Sequence, residues 1–135
     1  MDDDGVLIGD GQCRLRLKRA GPPDEAGYPT RIEVEAGPFR GTVTDDTVGS
    51  YPRFRDQLSR LNETLRGTAR LTSREGFELA LDGNGRGAVE VKVALEGGHE
   101  APISLSFAFA IDQSHLAALI TAIEREFLKP SPAGG

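Results

Sequence analysis

The chain has 135 residues, of which 38% are hydrophobic and 27% charged, and its formal net charge is -5. This length and apolar content suit one core and exclude wholesale disorder, and no apolar run approaches the roughly 18 residues that span a bilayer. Nucleic-acid binding needs a net basic surface, so we expect neither a nucleic-acid nor a membrane partner.

In the N-terminal part of the chain, apolar and polar residues alternate as they do in β-strands. Residues 6–8 and 12–19 are predicted to form two strands joined by a tight Gly-Asp-Gly turn. The loop over residues 20–29 contains prolines, which cannot donate ladder hydrogen bonds. Two more strands are predicted after it, through residues 32–35 and from Phe39 towards Asp45.

A basic stripe of Arg14, Arg16 and Lys18 follows one face of the second predicted strand. If this strand pairs with the one that carries Glu33 and Glu35, the two faces form cross-strand pairs of opposite charge. We prefer this interpretation to an anion-binding patch.

From Ser50 onwards the apolar residues recur at the three- and four-residue spacing of an α-helix. A helix is predicted over residues 51–66, capped by Ser50 and terminated by Gly67. Its apolar stripe has helical spacing and consists of Phe54, Leu58, Leu61 and Leu65.

Four strands are predicted next, over residues 68–72, 77–81, 89–95 and 103–111, with a glycine-rich turn at 82–87. The last of them alternates bulky and small residues, and we expect it to be the central strand.

A second helix is predicted after Asp112 or Ser114, either of which can cap it, and it ends before Pro130. Residues 131–135 are expected to be a disordered tail. The apolar stripe of this helix consists of Leu116, Ile120, Ile123 and Phe127.

These elements predict a single α+β domain over residues 1–130. We expect a mostly antiparallel sheet of about eight strands with two amphipathic helices packed on one face. The order is consistent with a diverged duplication of a four-strand-plus-helix unit, or with the stripe spacing that any two core-facing helices share.

The sequence contains no recognisable catalytic or metal-binding pattern. His99 and His115 lie in unlike contexts, and Asp45-Asp46 is expected at a strand end, where Asp bonds nearby backbone amides. We therefore predict no catalytic residue, no metal and no cofactor, and a protein that is not an enzyme.

The location expected from the sequence is the cytoplasm. The first residues, Met1-Asp2-Asp3-Asp4, are acidic where a secretory signal is basic and then apolar. The single cysteine, Cys13, cannot form an intramolecular disulfide, and its alternation is typical of a half-buried strand residue.

Three stretches resemble the WapI-type immunity protein family over about residues 30–128. They are FRDQLSRLNETLRGTARL from Phe54, GNGRGAVEVKVAL from Gly83 and LSFAFAIDQSHLAALITAIE from Leu105. At the helix start of the third stretch the family pattern has an aromatic residue, whereas this chain has His115. If that position contacts a partner, partner preference will differ.

The resemblance implies a cytoplasmic bacterial protein that binds and neutralises a toxin domain, in the namesake a nuclease acting on RNA. Our leading hypothesis is therefore stoichiometric occlusion of a toxin, with carboxylates that face a basic surface. The predicted contact residues are Asp45, Asp46, Glu96, Glu100 and His115, with Tyr51 as an aromatic anchor.

Two other hypotheses are weighed against this one. The first is a small-molecule binding domain with an apolar cavity lined by Phe77, Phe107, Phe109 and Phe127. The second is an enzyme in which Asp45, Asp46 and His115 converge in one cleft. The sequence does not decide between a monomer and a dimer.

Overall fold

The computed structural model describes residues 5–9, 11–97 and 103–128. Over these residues the chain forms two four-stranded antiparallel sheets and two helices, which confirms the α+β prediction. The strands of sheet 1 are β1 (Val6–Gly9), β2 (Cys13–Arg19), β3 (Tyr28–Ala36) and β4 (Phe39–Val48). The strands of sheet 2 are β5 (Arg66–Thr72), β6 (Glu78–Asn84), β7 (Ala88–Gly97) and β8 (Ile103–Asp112).

Each sheet is a meander in which neighbours along the chain are neighbours in space, and a helix follows each sheet. Helix α1 (Tyr51–Thr64) follows β4, and helix α2 (Leu116–Ile123) follows β8. Both halves of the chain thus have the same order of elements, as the hypothesis of duplication requires.

The basic stripe forms the predicted cross-strand pairs of opposite charge at two of its three residues. Arg14 is opposite Glu35 and Arg16 is opposite Glu33 where β2 pairs with β3, while Lys18 is opposite Arg31. The stripe is therefore largely balanced within sheet 1 by acidic residues on the neighbouring strand.

Helix α1 begins as predicted and ends earlier than predicted. The Ser50 hydroxyl accepts a hydrogen bond from the Arg53 amide at 3.3 Å. At the C-terminal end Leu65, not Gly67, takes the left-handed conformation, with φ 62, and its amide donates to the Leu61 carbonyl. The prediction of Gly67 as the terminator was wrong, because strand pairing with β6 already begins at Arg66.

The prediction that the 103–111 strand is central was also wrong, because β8 pairs with β7 and lies at the edge of sheet 2. The alternation of bulky and small residues indicates which face of a strand is buried. It does not indicate how many neighbouring strands the strand has. Along β8 the core-facing side chains change from 68% exposed at Ile103 to buried at Phe109 and Ile111.

The second helical region has three parts. Asp112 caps it, with a carboxylate that accepts from the Ser114 amide at 2.9 Å. A 3₁₀ turn (Gln113–His115) leads into α2, which widens into a π-helical segment (Glu124–Leu128). Because of this geometry Leu119 is buried, whereas Ile120 of the predicted stripe is half-buried.

One cluster of buried side chains joins both sheets and both helices. Helix α1 lies along β5 and against α2, and α2 also lies along β1. Among the residues that the structure describes, no helix has the length and apolarity to cross a membrane. The predicted tail at residues 131–135 lies outside the described residues.

Candidate protein-binding surface

Asp45 lies near the end of β4 and is only 2% exposed. One carboxylate oxygen accepts from the Thr47 amide at 2.8 Å and from the Thr47 hydroxyl at 2.7 Å. The other oxygen accepts from the Ser73 hydroxyl at 2.5 Å. Burial of this carboxylate is tolerated because three donors satisfy it.

The turn between β5 and β6 is held against β4 through the same network. The Ser73 hydroxyl oxygen accepts from the amides of Phe77 and Glu75, at 3.0 and 3.2 Å. The Thr47 hydroxyl oxygen accepts from the Arg74 amide at 3.0 Å. Sheet 1 and the turn of sheet 2 are therefore fixed relative to each other around the Asp45 carboxylate.

Exposed carboxylates surround this network. Asp46 and Glu75 are exposed, and the negative charge of Asp45, followed by partial burial and the charge of Asp46, raises the pKa of Glu75. Glu96, also exposed, lies against Gly76, where an added β-carbon would be 3.2 Å from the Glu96 β-carbon. We call the side chains of Asp46, Glu75 and Glu96 the acidic surface.

Of the predicted contact residues, Asp45 and Asp46 lie close enough to Glu75 to raise its pKa, and Glu96 lies against Gly76 of the same turn. Glu75 itself was not among the predicted residues. Ser73-Arg74-Glu75-Gly76 is an ordinary turn composition, and its position against β4 depends on a contact between segments distant in the chain. The sequence contained no local signal for it.

Tyr51 lies in the core and is 0% exposed, so it does not present an aromatic anchor to a partner. Its hydroxyl donates to the Thr30 hydroxyl at 2.9 Å, which in turn donates to the Tyr28 carbonyl. Its ring stacks on Phe127 with centroids 3.7 Å apart. Burial raises the pKa of Tyr51 far above its ordinary value. Tyr51 was predicted to lie at the surface because it begins a helix, and that placement was wrong.

His115 lies apart from the acidic surface. Its side chain is exposed, and Nδ1 is 3.1 Å from the Asp112 carbonyl oxygen. It lines a hollow of about 430 Å³ together with Leu7, Arg14 and Leu119. Asp45 and His115 thus belong to different hydrogen-bond networks, and the geometry does not support the hypothesis of an enzyme that uses both. Glu100 and His99 lie outside the described residues.

The four phenylalanines of the small-molecule hypothesis do not surround a common cavity. Phe77 is 3% exposed within the core. Phe107, Phe109 and Phe127 each line a different surface hollow. The rings contribute to packing, as Phe127 does against Tyr51.

The described acidic residues do not form a metal-binding group. Within residues 5–9, 11–97 and 103–128, no group of three or more His, Cys, Asp or Glu side chains is placed to hold an ion. Both oxygens of Asp45 accept hydrogen bonds from protein donors.

Fold and site together define an α+β protein that presents exposed carboxylates around a rigid, hydrogen-bonded strand end. The chain belongs to the WapI-like immunity protein family, since the model of that family matches residues 6–130. The match confirms the resemblance seen in the sequence and extends it to the first two strands. Membership indicates a role in toxin immunity with a protein toxin as partner, in a family that is generally non-catalytic. A search of curated proteins found no significant match.

Proposed function

We propose that this protein is a cytoplasmic bacterial immunity protein that neutralises a cognate toxin domain by stoichiometric binding, without a catalytic step. The observation that carries the proposal is the family match over residues 6–130. An immunity protein needs a preformed complementary surface and no reactive group. The carboxylate network at Asp45 supplies such a rigid support.

The acidic surface is the part of the molecule that we assign to the toxin. The charge of Asp45, followed by partial burial and the charge of Asp46, raises the pKa of Glu75, so like charges repel one another here. Glu96 adds a further carboxylate against Gly76 of the same turn. A basic partner relieves that repulsion, and it is attracted over distances comparable to the Debye length. A toxin that binds phosphates, such as a nuclease, has a groove of the required charge.

The remaining predicted residues have different places in the proposal. Asp45 acts indirectly by holding the turn that carries Glu75. Glu100 stays a prediction as a neighbour of Glu96 in the sequence. His115 stays a prediction as a separate contact, since it lines the hollow beside Leu7 and Leu119.

The test uses any toxin domain that is encoded near this gene. Calorimetry with the purified domains is expected to give a stoichiometry of one to one, and co-expression is expected to abolish toxicity. If no neighbouring toxin domain binds, the proposed function is wrong.

A charge-reversal pair locates the contact. Asp46→Lys with Glu96→Lys is expected to weaken binding at least about hundredfold. The control, Glu25→Lys with Glu63→Lys, changes the net charge equally at exposed positions outside the acidic surface and is expected to leave affinity within about threefold. Equal losses in both variants would show that net charge, and not the acidic surface, attracts the toxin.

A further inference from the structure

The two sheets have four outer edges, and three of them are protected. Strand β1 is only four residues long and contacts α2, and on β5 the Arg70 amide donates to the Gln57 side chain of α1. Strand β4 carries Arg40, Asp45 and Asp46, and charged residues on an edge discourage pairing with another strand. The fourth edge is β8, which in the described part of the chain pairs with β7 alone.

Strand β8 lacks each of these forms of protection. Its sequence from Ile103 to Ile111 contains no charged residue and no proline. A long uncharged edge presents a row of backbone N–H and C=O groups that can pair with a further strand. Natural proteins block such an edge unless it is used.

The side chains of β8 are also incompletely covered. Leu105 and Phe107 face the core and are half-buried, and Ile103 beside them is 68% exposed. On the opposite face the small residues Ser106 and Ala108 are exposed. An added strand would cover the apolar row and meet no bulky side chain on the other face.

We propose that β8 is a self-association edge, to which a second copy of this chain adds its own β8 in antiparallel orientation about a two-fold axis at Phe107. In antiparallel pairs, opposite residues share one face of the sheet. An axis through Phe107 therefore places Leu105 opposite Phe109 of the second copy, and Ser106 opposite Ala108 of the second copy. Apolar residues then meet apolar ones, and small residues meet small ones.

Electrostatics do not oppose a second copy as the partner, and they favour the antiparallel orientation. No charged side chains are brought opposite each other in the paired segment, because residues 103–111 carry none. The first charge of β8, Asp112, lies at opposite ends of the joined strands in the two copies. Two four-stranded sheets would form one continuous sheet across the axis.

The first test measures mass against concentration by analytical ultracentrifugation, over about a hundredfold range. The full chain is expected to be a dimer that dissociates on dilution. Ser106→Lys with Ala108→Lys places lysines directly opposite each other and is expected to raise the dissociation constant at least about tenfold. The control, Ala117→Lys with Ala118→Lys, adds the same charge at exposed positions of α2 and is expected to leave the dimer intact.

The second test examines the register. Ser106→Lys with Ala108→Glu places each lysine opposite a glutamate of the second copy and is expected to restore dissociation to within about threefold of the original protein. A chain that stays monomeric at all concentrations would overturn the proposal. A dimer that the paired lysines leave intact, or that the lysine-glutamate variant fails to restore, would do the same. So would a free monomer whose β8 amides become protected from hydrogen exchange only in the toxin complex.

Discussion

The hydroxyl of Ser73 donates a hydrogen bond to the buried carboxylate of Asp45, which lies 28 residues earlier in the chain. This contact ties the end of β4 in sheet 1 to the turn that precedes β6 in sheet 2. The turn carries Glu75, so a buried structural carboxylate determines where an exposed one lies. Asp45 therefore contributes to folding directly and, under the proposed function, to partner binding indirectly.

Asp45→Ala is expected to destabilise the protein by about 2–4 kcal/mol, because it leaves the Thr47 and Ser73 donors without their acceptor. Urea unfolding followed by circular dichroism measures this loss. Ser73→Ala is expected to cost less, about 1–2 kcal/mol, since the Asp45 carboxylate keeps its bonds from Thr47. In the double variant the losses should be less than additive, and strict additivity would refute the coupling.

Glu75→Gln is expected to raise stability slightly at neutral pH, by about 1–2 °C in the unfolding midpoint, because solvent screens the repulsion at this exposed site. A pKa raised on folding means that the folded state binds the proton more tightly than the unfolded state. Stability contributed by this group therefore falls as pH rises from its ordinary pKa through the raised one. The gain from Gln should disappear near about pH 3, where the carboxyl group is protonated in both states.

The same substitution is expected to weaken toxin binding, since it removes one charge of the acidic surface. A residue that lowers stability while raising affinity has the signature of a functional site. The matched control is Glu63→Gln at an exposed position near the end of α1, which should change neither quantity. Higher stability with unchanged affinity would remove Glu75 from the contact.

Tyr51 provides a test of core packing against partner contact. Tyr51→Phe removes the hydroxyl that donates to Thr30 and is expected to cost about 1 kcal/mol. Tyr51→Ala also removes the ring stacked on Phe127 and is expected to cost about 3–5 kcal/mol. Because the side chain is buried, toxin affinity of folded Tyr51→Phe should equal that of the original protein. A large loss of affinity in this mild variant would instead support Tyr51 as a contact residue.

The elements of this fold were predictable because each has a local signal. Alternation located the strands, and charge predicted that the face with Arg14 and Arg16 pairs with the face that carries Glu33 and Glu35. Strand order was not predictable, because the bulky and small faces of β8 suit an edge strand as well as a central one. Which edge a helix covers depends on contacts between distant segments, and no periodicity encodes it.

The candidate surface was predictable only in part for a related reason. Acidic residues at strand ends are visible in the sequence, and Asp46 and Glu96 are exposed near Glu75 and Gly76. Exposure itself is not visible, so the buried Asp45 and Tyr51 were grouped with surface residues. Their burial results from how the helices and sheets meet, which involves Thr30, Ser73 and other partners far away in sequence.

Gly83 lies in one of the stretches that carry the family resemblance, and the structure supplies a physical reason for a glycine there. A β-carbon at this position would lie 2.5 Å from the Leu65 carbonyl oxygen and 2.6 Å from the Leu61 side chain. The same carbonyl accepts from the Gly85 amide at 2.7 Å. The end of α1 is thus docked against β6, and only a residue without a side chain leaves room for it.

Gly83→Ala is therefore expected to destabilise the protein by about 2–4 kcal/mol, because a backbone atom must move to relieve the clash. Gly41→Ala is the matched control in strand β4, where the added carbon would meet Val34 at an ordinary 3.7 Å. That change is expected to be neutral or to stabilise by about 0.5 kcal/mol, since alanine restricts the unfolded chain. Parallel urea titrations compare the two. Equal effects would mean that the docking of α1 on β6 does not require glycine, and that this part of the family pattern has another cause.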